Sequence, residues 1–210
     1  MLSILIADDH AVVREGLKQI LTELEDSVAL TEASHGQEVL EKIHQSRFDI
    51  ILLDISMPGM NGLEILKQIK NEKPEISVLI LSMYPEEQYA VRALKAGASG
   101  YLTKESAPQE LIQAIQRIAS GRKYITPSLA EKLAYNFDKD YEKPLHEILS
   151  DREFQVMRLL AVGKTVKEIG EELFLSIKTV STYRSRILEK MEFKNNAELI
   201  HYSIKKQLID

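Results

Sequence analysis

Residues 48–62 read FDIILLDISMPGMNG, a run of apolar residues that stops at an acid and is followed by turn residues. The run Phe48–Leu53 carries IILL with no polar interruption. A continuous apolar, branched run cannot alternate between core and solvent. It points to a strand buried on both faces, as in a parallel sheet covered by helices. The run stops at Asp54, and Pro58-Gly59 and Asn61-Gly62 supply turn chemistry just beyond it. A helical pattern then runs from Leu63 to Asn71. The stretch is one βα unit with a carboxylate at the carboxyl end of its strand.

Working outward, the same unit recurs. Ile4–Ala7, Val28–Glu32, Val78–Leu81 and Gly100–Thr103 are further short apolar runs. Helical patterns separate them at Val12–Leu24, Gln37–Gln45, Glu86–Ala96 and Pro108–Ser120. The last shows the helical spacing in Leu111, Ala114, Ile115 and Ile118, with Pro108 in its first turn and Gly121 after its end. Five βα units predict an α/β, doubly wound open sheet over residues 1–122.

Beyond it the pattern changes. Residues 123–146 hold a short helical pattern, Ser128–Phe137, and then the charged DKDYEKP, and they read as a linker. Residues 147–210 read as all-helical: Ser150–Glu153 is a capping box ahead of Phe154, Met157 and Leu160. Gly163 marks a stop, Val166–Phe174 is short, Ser176 caps a helix to about Met191, and Asn195 or Asn196 opens a last one to about Gln207. Helix, short turn, helix inside four helices is the helix-turn-helix pattern.

Composition sets outer limits. The chain has 210 residues, 44% hydrophobic and 28% charged, so it can bury a real core. No apolar run reaches membrane-spanning length. The N-terminus lacks a basic region and its apolar run meets Asp8 and Asp9, so it does not read as a signal peptide. Cysteine is absent, which excludes disulfides and thiolate chemistry, and the default reading is a cytoplasmic protein. The net charge of −5 conceals a split: residues 1–122 hold 12 Lys/Arg against 18 Asp/Glu, residues 123–210 hold 15 against 14. Within 173–206 the count is 7 basic to 3 acidic, so one part of the second half can face an anion.

Asp8 and Asp9 follow the first strand and Asp54 the third. In such sheets ligands bind beyond the carboxyl ends of the strands, near the switch point. Three converging carboxylates repel one another, and a hard dication such as Mg²⁺ relieves this through oxygen ligands. An Asp beside Mg²⁺ can act as nucleophile toward phosphorus. Ser82 and Lys104 close the fourth and fifth strands with a hydroxyl and a positive charge suited to phosphoryl oxygens. Any one such Asp is ordinarily a turn residue, and a lone Lys is ordinarily solvated. Together at the strand ends of one array they are not ordinary.

Asp8-Asp9, LLDISMPGMNG, Ser82 in LILSMY and Lys104 in GASGYLTKE together resemble a response-regulator receiver domain over residues 1–122. The resemblance implies a flavodoxin-like (βα)₅ fold and self-catalysed transfer of a phosphoryl group from a histidine kinase to Asp54. It implies Mg²⁺ held by Asp8, Asp9, Asp54 and the backbone carbonyl of Ser56. Lys104 then pairs with the phosphoryl group, and Ser82 and Tyr101 match the switch positions, with Tyr101 turning inward on phosphorylation. Two departures stand out: Glu105 replaces a common Pro, and Ser82 replaces the commoner Thr.

Projected at about 100° per residue, Ser176–Met191 gathers Val180, Tyr183, Ile187, Leu188 and Met191 on one side. Lys178, Thr182, Ser185 and Glu189 fall opposite, flanked by Thr179, Ser181 and Arg186, while Arg184 stays unassigned at the apolar edge. Small polar and basic side chains suit a DNA major groove. Taken alone, such a helix is more often an ordinary amphipathic surface helix with a solvated face. Residues 149–200, LSDREFQVMRLLAVGKTVKEIGEELFLSIKTVSTYRSRILEKMEFKNNAELI, resemble the LuxR-type helix-turn-helix, and with the receiver they place the chain with NarL/FixJ-type regulators. The resemblance carries base contacts onto Ser181, Thr182 and Ser185. Phosphate contacts fall on Lys178, Thr179 and Arg186, and at the helix ends near Thr165 and Val166. It implies double-stranded DNA as partner and a homodimer on phosphorylation, through a last helix whose Leu199, Ile200 and Ile204 suit internal packing equally well. Two rivals remain. A haloacid-dehalogenase-type phosphatase wants Asp-x-Asp on one strand, which DISM lacks. A signalling adaptor would use the terminal helices to bind protein instead.

Overall fold

The computed structural model describes residues 1–24, 28–137 and 144–209. The chain divides into two compact units, Met1–Lys139 and Asp140–Asp210.

In the first unit five strands, β1 (Leu2–Ala7), β2 (Val28–Ala33), β3 (Ile50–Asp54), β4 (Ser77–Ser82) and β5 (Gly100–Thr103), form a parallel sheet ordered β2-β1-β3-β4-β5. Helices α1 (Ala11–Leu21), α2 (Gly36–Gln45), α3 (Gly62–Glu72), α4 (Glu86–Lys95) and α5 (Ala107–Ala119) connect and follow the strands. Side chains alternate across the sheet. Ile4, Ile6, Ile50 and Leu52 join Leu17 and Leu21 of α1 and Leu111, Ile115 and Ile118 of α5 in one core. Leu5, Ile51 and Leu53 are also fully buried and point to the other face by the strand period. The uninterrupted IILL run is thus apolar because both its faces are covered.

The first unit continues past residue 122. Tyr124 forms a parallel bridge with Gly100, and its hydroxyl donates to the Glu110 carboxylate at 2.7 Å. Burial, then that carboxylate, pushes the Tyr124 phenol up to about 12. A sixth helix, α6 (Pro127–Phe137), follows and packs against α4. Thr126 joins the two: its hydroxyl lies 2.6 and 2.8 Å from the Glu86 carboxylate oxygens and accepts from the Leu129 amide at 3.2 Å. The stretch read from composition as linker therefore contributes a helix to the first unit. The charged residues 138–143 lie outside the described residues.

The second unit opens with a 3₁₀ turn (Leu145–Ile148), then α7 (Asp151–Ala161), α8 (Val166–Leu173), α9 (Ile177–Lys190) and α10 (Asn196–Lys205). The capping box expected at Ser150 forms with Glu153, and Thr165 forms another with Glu168. Phe154, Met157 and Leu160 of α7 are buried with Ile169, Leu173, Val180, Ile187 and Leu199; α7 packs against α8, α9 and α10, and α8 against α9. The turn between α8 and α9 is tight: a Cβ on Gly170 would lie 2.8 Å from the Leu175 carbonyl oxygen, so only glycine fits. Phe174 ends α8 in the left-handed region at φ 55°.

Candidate functional site

Strand register assembles the site. Ala7 pairs with Leu53, so the residues that follow, Asp8 and Asp54, become neighbours. Leu81 pairs with Asp54 and Thr103 with Ser82, which delivers Ser82 and Lys104 to the same edge. The β1–β3 boundary is also where the strand order reverses, the crevice in which open α/β sheets bind ligands.

Lys104 Nζ lies 2.8 Å from Asp54 Oδ2 and 2.6 Å from Asp8 Oδ2, and the side chains of the three are 9%, 1% and 2% exposed. The other Asp54 oxygen, Oδ1, accepts from the Ser56 amide at 3.1 Å. Asp9 is half-buried beside them. One ammonium therefore bridges two buried carboxylates, with the partly exposed Asp9 carboxylate in the same cluster. Burial raises the Asp54 pKa above its ordinary value, against the opposing pull of Lys104. Burial works against the Lys104 charge too, but Asp54 and Asp8 outweigh it and hold that ammonium above its ordinary value.

Gly62 lies against the backbone of Asp54 and Ile55. A Cβ there would come within 2.4 Å of the Asp54 carbonyl oxygen, so α3 starts this close to β3 only because residue 62 is glycine. Asn61 caps that helix by a capping box with Glu64.

The ligand atoms of Asp8, Asp9, His10 and Asp54 lie within 4.8 Å of one another. Asp9 Oδ1 and Ser56 Oγ are buried without a hydrogen-bond partner, and Asp8 Oδ2 meets Lys104 outside hydrogen-bond geometry. An oxygen-rich cluster with underused buried lone pairs fits a hard divalent cation. His10 was not legible as part of it, because an exposed His after two acids carries no spacing signal.

Ser82 Oγ accepts from the Tyr84 amide at 3.0 Å, and the Tyr101 hydroxyl donates to the Tyr84 carbonyl at 2.7 Å. Tyr101 is buried. The ring expected to turn inward on phosphorylation is already in, its hydroxyl held by the Tyr84 carbonyl in the segment that follows β4. The Lys104–Glu105 bond is trans, as are all peptide bonds among the described residues.

In the second unit α9 carries the residues picked out on the wheel. Val180 and Ile187 are buried, whereas Lys178, Ser181, Thr182, Ser185 and Arg186 are exposed and Thr179 is half-buried. The Thr182 hydroxyl donates back to the Lys178 carbonyl at 2.9 Å and the Ser185 hydroxyl to that of Ser181 at 3.1 Å. Thr179 N donates to Ser176 Oγ at 3.0 Å, capping the helix. Arg184, unassigned from the wheel, donates through Nε to Asn196 Oδ1 at 2.8 Å and ties α9 to α10. Thr165 caps α8 and Val166 is its first residue. In α10, Leu199 is buried and Ile204 exposed. No described helix is long and apolar enough to cross a membrane.

Comparison with known proteins matches both units. Residues 4–116 match the response regulator receiver domain family, and residues 147–203 the family of bacterial regulatory proteins, luxR family. The oxygen regulatory protein NreC of Staphylococcus carnosus is 37% identical over 216 residues, covering all of both chains. The response regulator UvrY of Escherichia coli is 34% identical, over 98% of this chain and 94% of that one. Among solved structures, RcsB of Salmonella enterica serovar Typhimurium, bound to promoter rprA in the presence of phosphomimetic beryllofluoride, superposes with a TM-score of 0.65. It is 28% identical and covers 96% of this chain and 98% of that one.

Proposed function

The chain belongs to the response regulators that join a receiver domain to a LuxR-type DNA-binding domain, and from that premise we propose that Asp54 accepts a phosphoryl group from a histidine kinase and so controls DNA binding by α9. The observation that carries this is Lys104 bridging buried Asp54 and Asp8 at the carboxyl edge of the sheet. Asp54 is the acidic residue of the cluster at the centre of that edge, with one oxygen fixed by the Ser56 amide.

Mg²⁺ suits the donor set. Asp8, Asp9, Asp54 and the Ser56 carbonyl would hold it, and when bound it supplies charge neutralisation for the transferring phosphoryl oxygens. The chain's own residues do the rest. An Asp54 carboxylate oxygen attacks phosphorus as the P–N bond of the phosphohistidine breaks, and the imidazole leaves with the electron pair. The product adds about −1.5 to −2 charges. Lys104 already lies beside Asp54 Oδ2 and pairs with this new charge. Ser82 Oγ can leave the Tyr84 amide to donate to a phosphoryl oxygen, which loosens the segment between β4 and α4. With Tyr101 already inward, that loosened segment is what changes on phosphorylation.

On the DNA side, Ser181, Thr182 and Ser185 face base edges, and Lys178, Thr179, Arg186 and the amino end of α8 face phosphates. The back-bonded hydroxyls of Thr182 and Ser185 keep acceptor lone pairs free toward the groove. A homodimer on paired half-sites turns a weak single contact into a useful one through effective concentration. A receiver unit of residues 1–139 that includes α6, a DNA-binding unit of residues 140–210, and a cytoplasmic location fit this role.

The test combines labelling with sedimentation. Phosphoramidate should label the native chain and not Asp54→Asn, and beryllofluoride with Mg²⁺ should shift the native chain from monomer to dimer. Equal labelling of Asp54→Asn overturns the assignment of the acceptor.

A further inference from the structure

Ile177 is the first residue of α9, and it is 57% exposed. A single exposed aliphatic residue is ordinary on a surface, but this one stands at the head of a particular row. Residues four apart are neighbours on a helix surface, with Cβ atoms about 6 Å apart. Ile177, Ser181 and Ser185, all exposed, therefore run together, and Ile177 extends the face proposed to read bases by one turn toward the amino end. That end is fixed. The Ser176 hydroxyl oxygen accepts from the Thr179 amide at 3.0 Å and lies 2.7 Å from the Thr179 hydroxyl. A β-branched side chain projects from this held turn with little rotamer freedom.

The charges nearby say what covers the row. The other three α-helices of the second unit carry acids in their first turns: Asp151 and Glu153 in α7, Glu168 in α8 and Glu198 in α10. The first turn of α9 has none, and Lys178 stands there instead. A helix start without an acid and with a lysine beside it favours an anionic partner. In helix-turn-helix proteins the amino-terminal residues of the second helix meet base edges. The feature of the major groove that suits an aliphatic side chain is the methyl group of thymine. We infer that Ile177 is a further specificity-determining residue, packed in the complex against a thymine methyl. That thymine lies about two base pairs from the pair met by Ser181, since about 6 Å spans two steps of about 3.4 Å. The inference rests on DNA binding by α9 as proposed above.

Replacing thymine by uracil deletes this methyl and nothing else. The full native chain first selects its preferred site from random DNA, and each thymine of that site is then replaced by uracil in turn. At one thymine of a half-site the native chain should lose about three- to fivefold in affinity, as expected for one buried methyl-sized group. Ile177→Ala should bind the thymine duplex weaker by about the same factor and be indifferent to that uracil. Ile177→Val should keep the sensitivity, and so should Thr182→Ala, which separates Ile177 from the methyl group of Thr182. Circular dichroism checks that the variants are folded, which the exposure of Ile177 favours. No sensitive thymine, or a uracil effect that survives in Ile177→Ala, overturns the role of Ile177 and leaves DNA binding standing. Equal DNA affinity of the native chain and Ile177→Ala does the same and leaves the side chain to a protein contact. A selection that enriches no sequence overturns base reading by α9 and this inference with it.

Discussion

Replacing Lys104 by Met removes the one ammonium between Asp8 and Asp54. The substitute fills a similar space, so the change is chiefly electrostatic. Carboxylate oxygens of Asp8 and Asp54 lie within 4.8 Å of each other, and both side chains are almost fully buried. At an effective dielectric of about 20, two unit charges at that distance repel by about 3.5 kcal/mol. That figure falls inside the cost of about 3–5 kcal/mol usual for breaking a buried pair. In metal-free buffer at neutral pH, Lys104→Met should lower the receiver's melting temperature by roughly 10 °C. The loss should shrink as the pH falls, because burial has already raised the Asp54 pKa and removing Lys104 raises it further. Once a carboxylate takes a proton the repulsion is gone. It should shrink in millimolar Mg²⁺ as well, since a dication replaces the ammonium. The assay is thermal unfolding by circular dichroism across pH, with and without Mg²⁺. The double variant Lys104→Met/Asp54→Asn is the control, and it should recover most of the loss. A drop below about 1 kcal/mol, or no recovery in the double variant, would refute the view that Lys104 neutralises this pair.

Other expectations follow from the remaining contacts. Thr182→Ala should change sequence preference, because residue 182 is exposed on α9 away from the buried Val180 and Ile187; a selection from random DNA reads this out, and an unchanged profile counts against that face. Lys178→Ala should weaken binding to all sequences and lower the salt slope by about 1, measured by anisotropy across salt. Thr126→Val removes the cap of α6 together with its link to Glu86. It should destabilise that helix by about 0.5–2 kcal/mol, seen as faster amide exchange confined to α6. Phe174→Gly should stabilise the second unit by about 1 kcal/mol in urea unfolding, because Phe174 is exposed and pays a left-handed penalty at φ 55° that glycine escapes.

The elements themselves were legible. The IILL run, the three-four spacing of Leu111 to Ile118 and the Ser150 capping box each carry a local signal, and each forms as expected. Boundaries moved by one to three residues: β1 begins at Leu2 rather than Ile4, α1 ends at Leu21 rather than Leu24, and α10 ends at Lys205 rather than Gln207. The segment 123–137 shows the limit. Its charged continuation suggested a linker, but Tyr124 extends beside Gly100 and Thr126 holds α6 to α4. Those partners are distant in sequence, so no local pattern announces them. Arg184 is similar: its place at the apolar edge of α9 makes sense only once Asn196 of α10 stands opposite.

The βα succession, the helical second half, and the acids, hydroxyl and lysine at strand ends all follow from local patterns in the chain. Period and end position are local properties, and a parallel sheet turns strand ends into one edge. The tertiary structure decided which of those groups share charge. Lys104 bridging Asp54 and Asp8, Tyr101 held inward by the Tyr84 carbonyl, and His10 turned over Asp8 and Asp9 all depend on separations of about 3 Å. Electrostatic and hydrogen-bond energies change steeply over that range, and only strand register and helix packing set distance so finely.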